Sequence, residues 1–311
     1  MEFRHISVLL EESVDMLAVK PDGVYVDGTL GGGGHASLVC HQLAEAGNFI
    51  GIDRDTTALR AATARLQAYT CQKQFFHRNF FEIKEVLKDA GISKIDGAIL
   101  DLGVSSPQLD QPERGFSYHQ EARLDMRMNQ EADLDAYQIV NTYPEEELAD
   151  IIFRFGEERY SRKIAAAIVK RRQKAPIETT TELSEIIKQA FPAAARFSDK
   201  HPAKRTFQAI RIAVNSELDG LEEALRNFAE VLKPGGRLAV ITFHSLEDRI
   251  VKNTFQNLAN GCTCPKDFPV CVCGNAPTVK LVNRKPIVAG EKELDHNFRA
   301  HSAKLRVIEK L

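Results

Sequence analysis

The 311-residue chain carries 43% hydrophobic and 27% charged residues, the balance of a folded globular protein rather than a disordered or fibrous one. Its formal net charge is only -2, so no global basic excess points to nucleic acid, and any such contact has to rest on a local cluster. No stretch approaches the roughly 18 apolar residues that cross a membrane, and Glu2, Arg4 and His5 after Met1 do not read as an export signal.

In chain order, apolar runs alternate with helical patterns. Val24-Tyr25-Val26 is a short strand ending in Asp27 and glycines, and a helix follows from about His35 to Ala46. Phe49 to Ile52 is the second strand and ends in Asp53, and residues 57–68 are helical. Gln74 to His77 and Ile95 to Leu102 read as a third and a fourth strand. The fourth is almost wholly apolar, as strands buried on both faces of a parallel sheet are. Strand-helix alternation at this spacing predicts a doubly wound α/β sheet.

The pattern changes from about Gln111 to Lys204, where helices are expected at Leu134–Val140, Pro144–Phe155, Ser161–Lys174 and Thr181–Phe191 and no strand is convincing. The α/β pattern returns with a helix at Leu221–Leu232, a turn at Lys233-Pro234-Gly235-Gly236 and a buried strand from Arg237 to Phe243. Late strands are expected at Val279–Asn283 and Lys304–Ile308. This predicts a discontinuous sheet domain, residues 1–112 and 205–311, interrupted by an all-helical insertion over 113–204.

Asp27-Gly28-Thr29-Leu30-Gly31-Gly32-Gly33-Gly34-His35 lies between a strand and a helix, where glycines let the backbone turn tightly and approach a ligand. Asp53 ends the next strand 20 residues after Gly33, placed to accept hydrogen bonds from the ribose hydroxyls of an adenosine cofactor. An acid directly before the loop would repel a pyrophosphate and attract a cationic amino-acid group. That favours S-adenosyl-L-methionine over NAD(P) or a glycine loop without a ligand.

The fourth strand runs into Asp101-Leu102-Gly103-Val104-Ser105-Ser106-Pro107-Gln108. Ligands of open α/β sheets bind beyond the carboxyl ends of the strands, so Asp101 and this loop are expected beside a methyl donor. Hydroxyls of Ser105 and Ser106, a carbonyl at Pro107 and the Gln108 amide could hold the N–H groups of an exocyclic amine; a simple turn cap is the alternative. The later strand ends in His244-Ser245-Leu246-Glu247-Asp248, where His244 is a candidate proton acceptor or base-orienting group and Ser245-Leu246-Glu247-Asp248 also reads as a helix N-cap with acids in the first turn.

At these residues the chain resembles the bacterial N4-cytosine methyltransferases of small-subunit ribosomal RNA, the RsmH (MraW) family. The resemblance runs through His5–Leu10, Asp27–His35, Asp101–Gln108, Arg114–Ser117, Leu124–Met128, Arg205–Ala209 and Phe243–Arg249, covering nearly the whole chain. It implies a Rossmann-like, class I S-adenosylmethionine-dependent methyltransferase domain with an inserted helical domain for RNA. It implies a target cytosine in the decoding region of 16S ribosomal RNA, within the small ribosomal subunit. Carried over residue by residue, cofactor contacts fall on Gly33, Gly34, His35, Asp53, Phe80, Asp101 and Gln108. The catalytic group would be Asp101, Ser105, Ser106, Pro107 and His244. Many amino-group methyltransferases place an aromatic after a double proline at this loop; here Ser106-Pro107-Gln108-Leu109 has one proline and no aromatic, so Phe116 or Tyr118 is the candidate stacking partner.

Arg159, Arg162, Lys163, Lys170, Arg171, Arg172 and Lys174 form an acid-free basic run suited to phosphate, with Lys200, Lys204, Arg205 and Arg211 nearby; a solvated helix face is the alternative. Cys262, Cys264, Cys271 and Cys273 form two C-x-C pairs, tighter than the usual zinc spacing, and are expected to be metal-free thiols in a reducing cytoplasm, with a four-thiolate zinc site as the alternative. The oligomeric state is left open, a homodimer among the options. A DNA amino-methyltransferase and a non-catalytic RNA-binding assembly factor are the competing functions.

Overall fold

The computed structural model describes residues 7–193, 201–262, 264, 270 and 272–311, with the backbone alone for residues 106 and 107. Its chain forms two compact units, the first made of residues 1–103 and 218–311 and the second of residues 104–217.

In the first unit, α1 (Leu10–Leu17) precedes β1 (Val24–Asp27), α2 (Gly34–Gln42), β2 (Asn48–Asp53), α3 (Thr56–Leu66), β3 (Gln72–His77), α4 (Ile83–Asp89) and β4 (Ile95–Asp101). In the second, α5 (Ser106–Asp110), α6 (Ala136–Thr142), α7 (Glu145–Gly156), α8 (Ser161–Arg172), α9 (Thr180–Ala190) and α10 (Ala203–Asn215) follow. The chain then completes the first unit with α11 (Leu221–Val231), β5 (Leu232–Thr242), α12 (Ser245–Asn260), β6 (Val279–Leu281) and β7 (Lys304–Lys310).

The seven strands lie in the order β3-β2-β1-β4-β5-β7-β6. The first five are parallel, and β7 runs antiparallel between β5 and β6. Alternating residues of the central strands feed two separate cores. Ala98 and Leu100 of β4, with Leu238 and Val240 of β5, pack under Leu221, Leu225 and Phe228 of α11. Ile99, Ala239 and Ile241 face the other way, under Val14 and Leu17 of α1 and Ala36 and Val39 of α2. Each fully buried Val, Leu, Ile or Phe side chain among these stabilises the fold by roughly 1.5–3 kcal/mol. That two-sided burial is why β4 reads as a nearly unbroken apolar run.

The expected turn at Lys233–Gly236 is corrected by the structure. β5 is continuous from Leu232, and these residues form an irregularity where the pairing with β4 shifts register between Ile95 and Gly97. Gly235 takes φ +77 there, which a side chain disfavours. The second unit also extends beyond residues 113–204. Phe207, Ile210 and Val214 of α10 enter its core beside Leu148, Ile152 and Ile164, and Val104 and Leu109 pack against it. The apolar stripe of α10 therefore draws residues 205–217 into the helical unit.

Within that unit Asn215 acts as a polar hub. Its Oδ1 accepts the Met128 N–H at 2.7 Å, and its Nδ2 donates to the carbonyls of Met126 at 2.8 Å and Arg211 at 2.9 Å. No described helix is long and apolar enough to cross a membrane.

Candidate cofactor site and candidate RNA surface

The parallel register brings three acids to one edge of the sheet. Asp27 sits opposite Gly51 and Ile99, Asp53 opposite His77, and Asp101 opposite Ile241, each the last residue of its strand. The glycine turn wraps this edge. Gly31 and Gly33 adopt φ +49 and +75, and Gly33 leads into α2. Gly28 approaches so closely that a Cβ there would meet Leu100 at 2.4 Å and Phe80 at 3.0 Å, which seats Phe80 against the turn.

Hydrogen bonds tie the edge together. Asp53 accepts the Gly31 N–H at 2.7 Å and the Asp55 N–H at 2.8 Å. Asp27 accepts the Thr29 N–H at 3.0 Å. His35, at the start of α2, places Nε2 3.0 Å from the Val8 carbonyl and Nδ1 3.9 Å from Asp101 Oδ2. At Gly34 a Cβ would fall 1.8 Å from Ser7 Oγ, so any side chain there would have to displace that hydroxyl.

Burial dominates the electrostatics. It lifts the Asp27 carboxyl to about 7 against the bond from Thr29, with Asp53 pushing the same way. It lifts Asp53 to about 6 against the bonds from Asp55 and Gly31. Asp101 is raised well above the carboxylate range by burial and then by Asp27 and Glu247. Although 22% of the Asp101 side chain is exposed, its Oδ1 is sealed from solvent and meets no hydrogen-bond partner among the described residues. Such an enclosed, acid-rich edge suits a cationic ligand, whose charge would stabilise the ionised carboxylates. It suits the ammonium and sulfonium of S-adenosyl-L-methionine and disfavours a pyrophosphate.

At the end of β5 the chain folds as a capping box. His244 Nδ1 accepts the Glu247 N–H at 3.4 Å, and Glu247 Oε2 accepts the N–H groups of Phe243 at 2.9 Å and His244 at 3.3 Å. His244 Nε2 lies 3.1 Å from Glu247 Oε1. The cap thus falls on His244, one residue before the expected Ser245, which becomes the first residue of α12 because Glu247 stands three residues after the histidine. Glu247, 2% exposed, is also one of the charges acting on Asp101, a role its place in the cap signature concealed. Thr29 was likewise hidden among the glycines, yet its hydroxyl accepts the Asp101 N–H at 2.6 Å.

The remaining expected site residues lie in the second unit. Ser105 donates its backbone N–H to Gln108 Oε1 at 3.0 Å, and the Gln108 side chain is 5% exposed. Ser106 and Pro107 begin α5, and their side chains lie outside the described residues. Of the two candidate stacking residues, Phe116 is buried in the helical core. Tyr118 stacks on His201 with centroids 4.6 Å apart and meets Phe207 edge-on.

The basic run divides in two. Arg172 donates to the carbonyls of Val140 at 2.7 Å and Tyr143 at 2.6 Å, and Arg171 pairs with Glu182, so both hold helices together. Arg159, Arg162, Lys163, Lys170 and Lys174 are exposed. Nearby, Arg211 grips Glu217 through two bonds of 2.8 and 2.7 Å, and Arg205 donates to the Glu157 carbonyl at 3.0 Å. Lys200 and Cys271 lie outside the described residues.

A seven-stranded sheet with its single reversed strand next to the last, a glycine turn after β1 and acids closing β1, β2 and β4 define a methyltransferase of the doubly wound α/β type. The family model of the MraW methylase family matches residues 2–311, and the chain belongs to that family. It is 56% identical to the ribosomal RNA small subunit methyltransferase H of Brevibacillus brevis, over 100% of this chain and 99% of that one. The proteins of the same name from Clostridium botulinum and Fusobacterium nucleatum are 54% and 51% identical, covering 100% and 99% of this chain and 100% and 97% of theirs.

Proposed function

We propose that this protein methylates the N4 amine of a cytosine in the decoding region of 16S ribosomal RNA, using S-adenosyl-L-methionine, in the bacterial cytoplasm. The observation that carries the reading is the buried acidic edge of Asp27, Asp53 and Asp101 around the glycine turn, in a chain of the MraW methylase family. The names of its relatives support small-subunit ribosomal RNA as the substrate.

When bound, S-adenosyl-L-methionine supplies an electrophilic methyl group. Gly33, Gly34 and His35 at the start of α2 would hold its amino-acid end with Asp27, while Asp53 would take the ribose hydroxyls and Phe80 the adenine face. Asp101 would keep a carboxylate near the developing charge, and Gln108 would complete the contacts.

A cytosine amine is a weak nucleophile because its lone pair is delocalised into the ring. Ser105, Ser106 and the Pro107 carbonyl would accept its N–H groups, so that nitrogen pyramidalises toward the methyl group. His244 would orient the base or serve as the proton acceptor. The target has to be splayed out of folded RNA, and the exposed cations of α8 would hold the backbone meanwhile.

The test is incubation of purified protein with methyl-labelled S-adenosyl-L-methionine and small subunits from cells lacking this gene, followed by nucleoside digestion and mass spectrometry. N4-methylcytidine, absent with Asp101→Ala, is the expected product. Label on another atom would overturn the substrate assignment. Transfer to a DNA oligonucleotide instead, or tight subunit binding without transfer, would favour the DNA-modifying or the assembly-factor alternative.

A further inference from the structure

The loop that follows α12 carries chemistry that methyl transfer does not use. Gly261 caps the helix with φ +67, and a Cβ there would stand 2.3 Å from the Ala276 carbonyl carbon and 2.4 Å from the Pro277 nitrogen. The Thr278 N–H donates to the Leu258 carbonyl at 3.1 Å, just before β6 begins. The loop therefore leaves and re-enters the sheet unit at one pinched point. Its two described valines face outward, Val270 at 69% and Val272 at 72% exposure. Burial of these two side chains does not fix the segment, so another kind of tie is needed.

Sulfur supplies that fixing point. The Sγ atoms of Cys262, Cys264 and Cys273 all lie within 4.8 Å of one another. Those of Cys262 and Cys273 are 3.9 Å apart. Two thiolates on one tetrahedral zinc, each at about 2.3 Å from the metal, stand about 3.8 Å apart. A disulfide would bring them to about 2.05 Å. The Val272 N–H also donates to Cys264 Sγ at 3.3 Å, a bond of the kind that steadies a metal-bound thiolate.

We propose that Cys262, Cys264 and Cys273 bind a zinc ion as thiolates and that this site ties the residues just after α12 to those leading into β6. Binding moves no electrons: each thiol loses its proton to solvent and donates a sulfur lone pair to Zn²⁺. Thiolate ligands select zinc over hard cations such as Mg²⁺ and Ca²⁺. The inference replaces the expectation of a metal-free loop and is independent of the substrate assignment.

The experiment is elemental analysis of the full-length chain purified under reducing conditions without chelator. The expected result is about one zinc per chain in the wild type, falling to background in Cys262→Ser/Cys264→Ser. Cobalt added to the metal-stripped, reduced wild type is expected to give sulfur-to-cobalt charge-transfer absorption that zinc then abolishes. Should the double variant fail to fold, wild-type zinc content and the cobalt spectrum decide on their own. A reduced wild-type chain that holds no zinc and develops no cobalt spectrum overturns the proposal, as does an intact mass showing these cysteines joined in a disulfide.

Discussion

The Thr29 hydroxyl accepts the backbone N–H of Asp101 at 2.6 Å, which locks the glycine turn after β1 to the acidic end of β4. Thr29 also donates its own N–H to Asp27, so one threonine joins two of the three edge acids. Thr29→Val keeps the shape and removes the acceptor, leaving an enclosed N–H without its partner at a cost of about 1–3 kcal/mol. Urea unfolding of the ligand-free variant should show that loss and Thr29→Ser should restore it. A valine variant within about 0.5 kcal/mol of wild type would show that the link is idle.

The edge acids predict a pH dependence of unusual sign. Asp27 titrates at about 7 and Asp53 at about 6 in the folded chain, both above the ordinary value of about 4. A carboxyl raised by folding stabilises the protein fully below its unfolded value and withdraws that stability as pH rises through the folded one. The ligand-free protein should therefore lose stability between about pH 4 and about pH 7. A cationic donor favours the ionised acids, so its binding should tighten over the same interval. Denaturation midpoints at low and neutral pH, with Asp27→Asn for comparison, check this; equal slopes in the two proteins would contradict the assignment to Asp27.

Gly33 offers a test of the turn itself. It combines φ +75 with a Cβ position only 3.2 Å from Ala62 Cβ and 3.3 Å from Ala62 Cα of α3. Gly33→Ala faces both left-handed strain of about 1–2 kcal/mol and crowding against a helix backbone. Calorimetric titration should show cofactor binding weakened at least roughly tenfold, the equivalent of about 1.4 kcal/mol. Unchanged affinity would place the ligand elsewhere.

In the helical unit the basic residues should separate by function. Arg162→Ala and Lys170→Ala remove exposed charge and should each weaken RNA binding while lowering the salt slope by about 1. Arg172→Ala should instead lower stability, because it leaves the Val140 and Tyr143 carbonyls without their donor. A filter-binding salt series set beside thermal melts distinguishes the two. Equal salt slopes for Arg162→Ala and wild type would remove α8 from the RNA surface.

Asn215 should be among the least replaceable polar residues of that unit. Asn215→Leu strands the Met128 N–H and the Met126 carbonyl, where Met126 already carries φ +60. Loss of about 2–5 kcal/mol is expected from two buried groups left unsatisfied, measured by chemical denaturation.

The sheet was readable because its physics is local. Runs such as Ile95–Leu100 are buried on both faces, Asp27 stands directly before the glycine turn, and Asp53 follows it at a set interval. The edge acids were readable for the same reason. Long-range polar roles left no such mark. Asn215 reaches back to Met126 and Met128, Arg172 caps two carbonyls of another helix segment, and Glu247 serves a cap while its charge acts on Asp101. The Lys233–Gly236 stretch has turn composition and yet continues a strand, because pairing on β4 outweighs local preference there.

β4 and β5 are direct neighbours, with Asp101 beside Ile241, although all of residues 104–217 intervene between them. During synthesis the central strand therefore emerges long before its partner, at a ribosomal pace of roughly 5–20 residues per second. For that interval Ile95–Leu100 is an apolar edge with unmatched amides, the kind of surface that recruits other chains. The helical unit finishes emerging in the same gap, and prompt folding of its own separate core would shorten the time in which a nascent chain can pair wrongly.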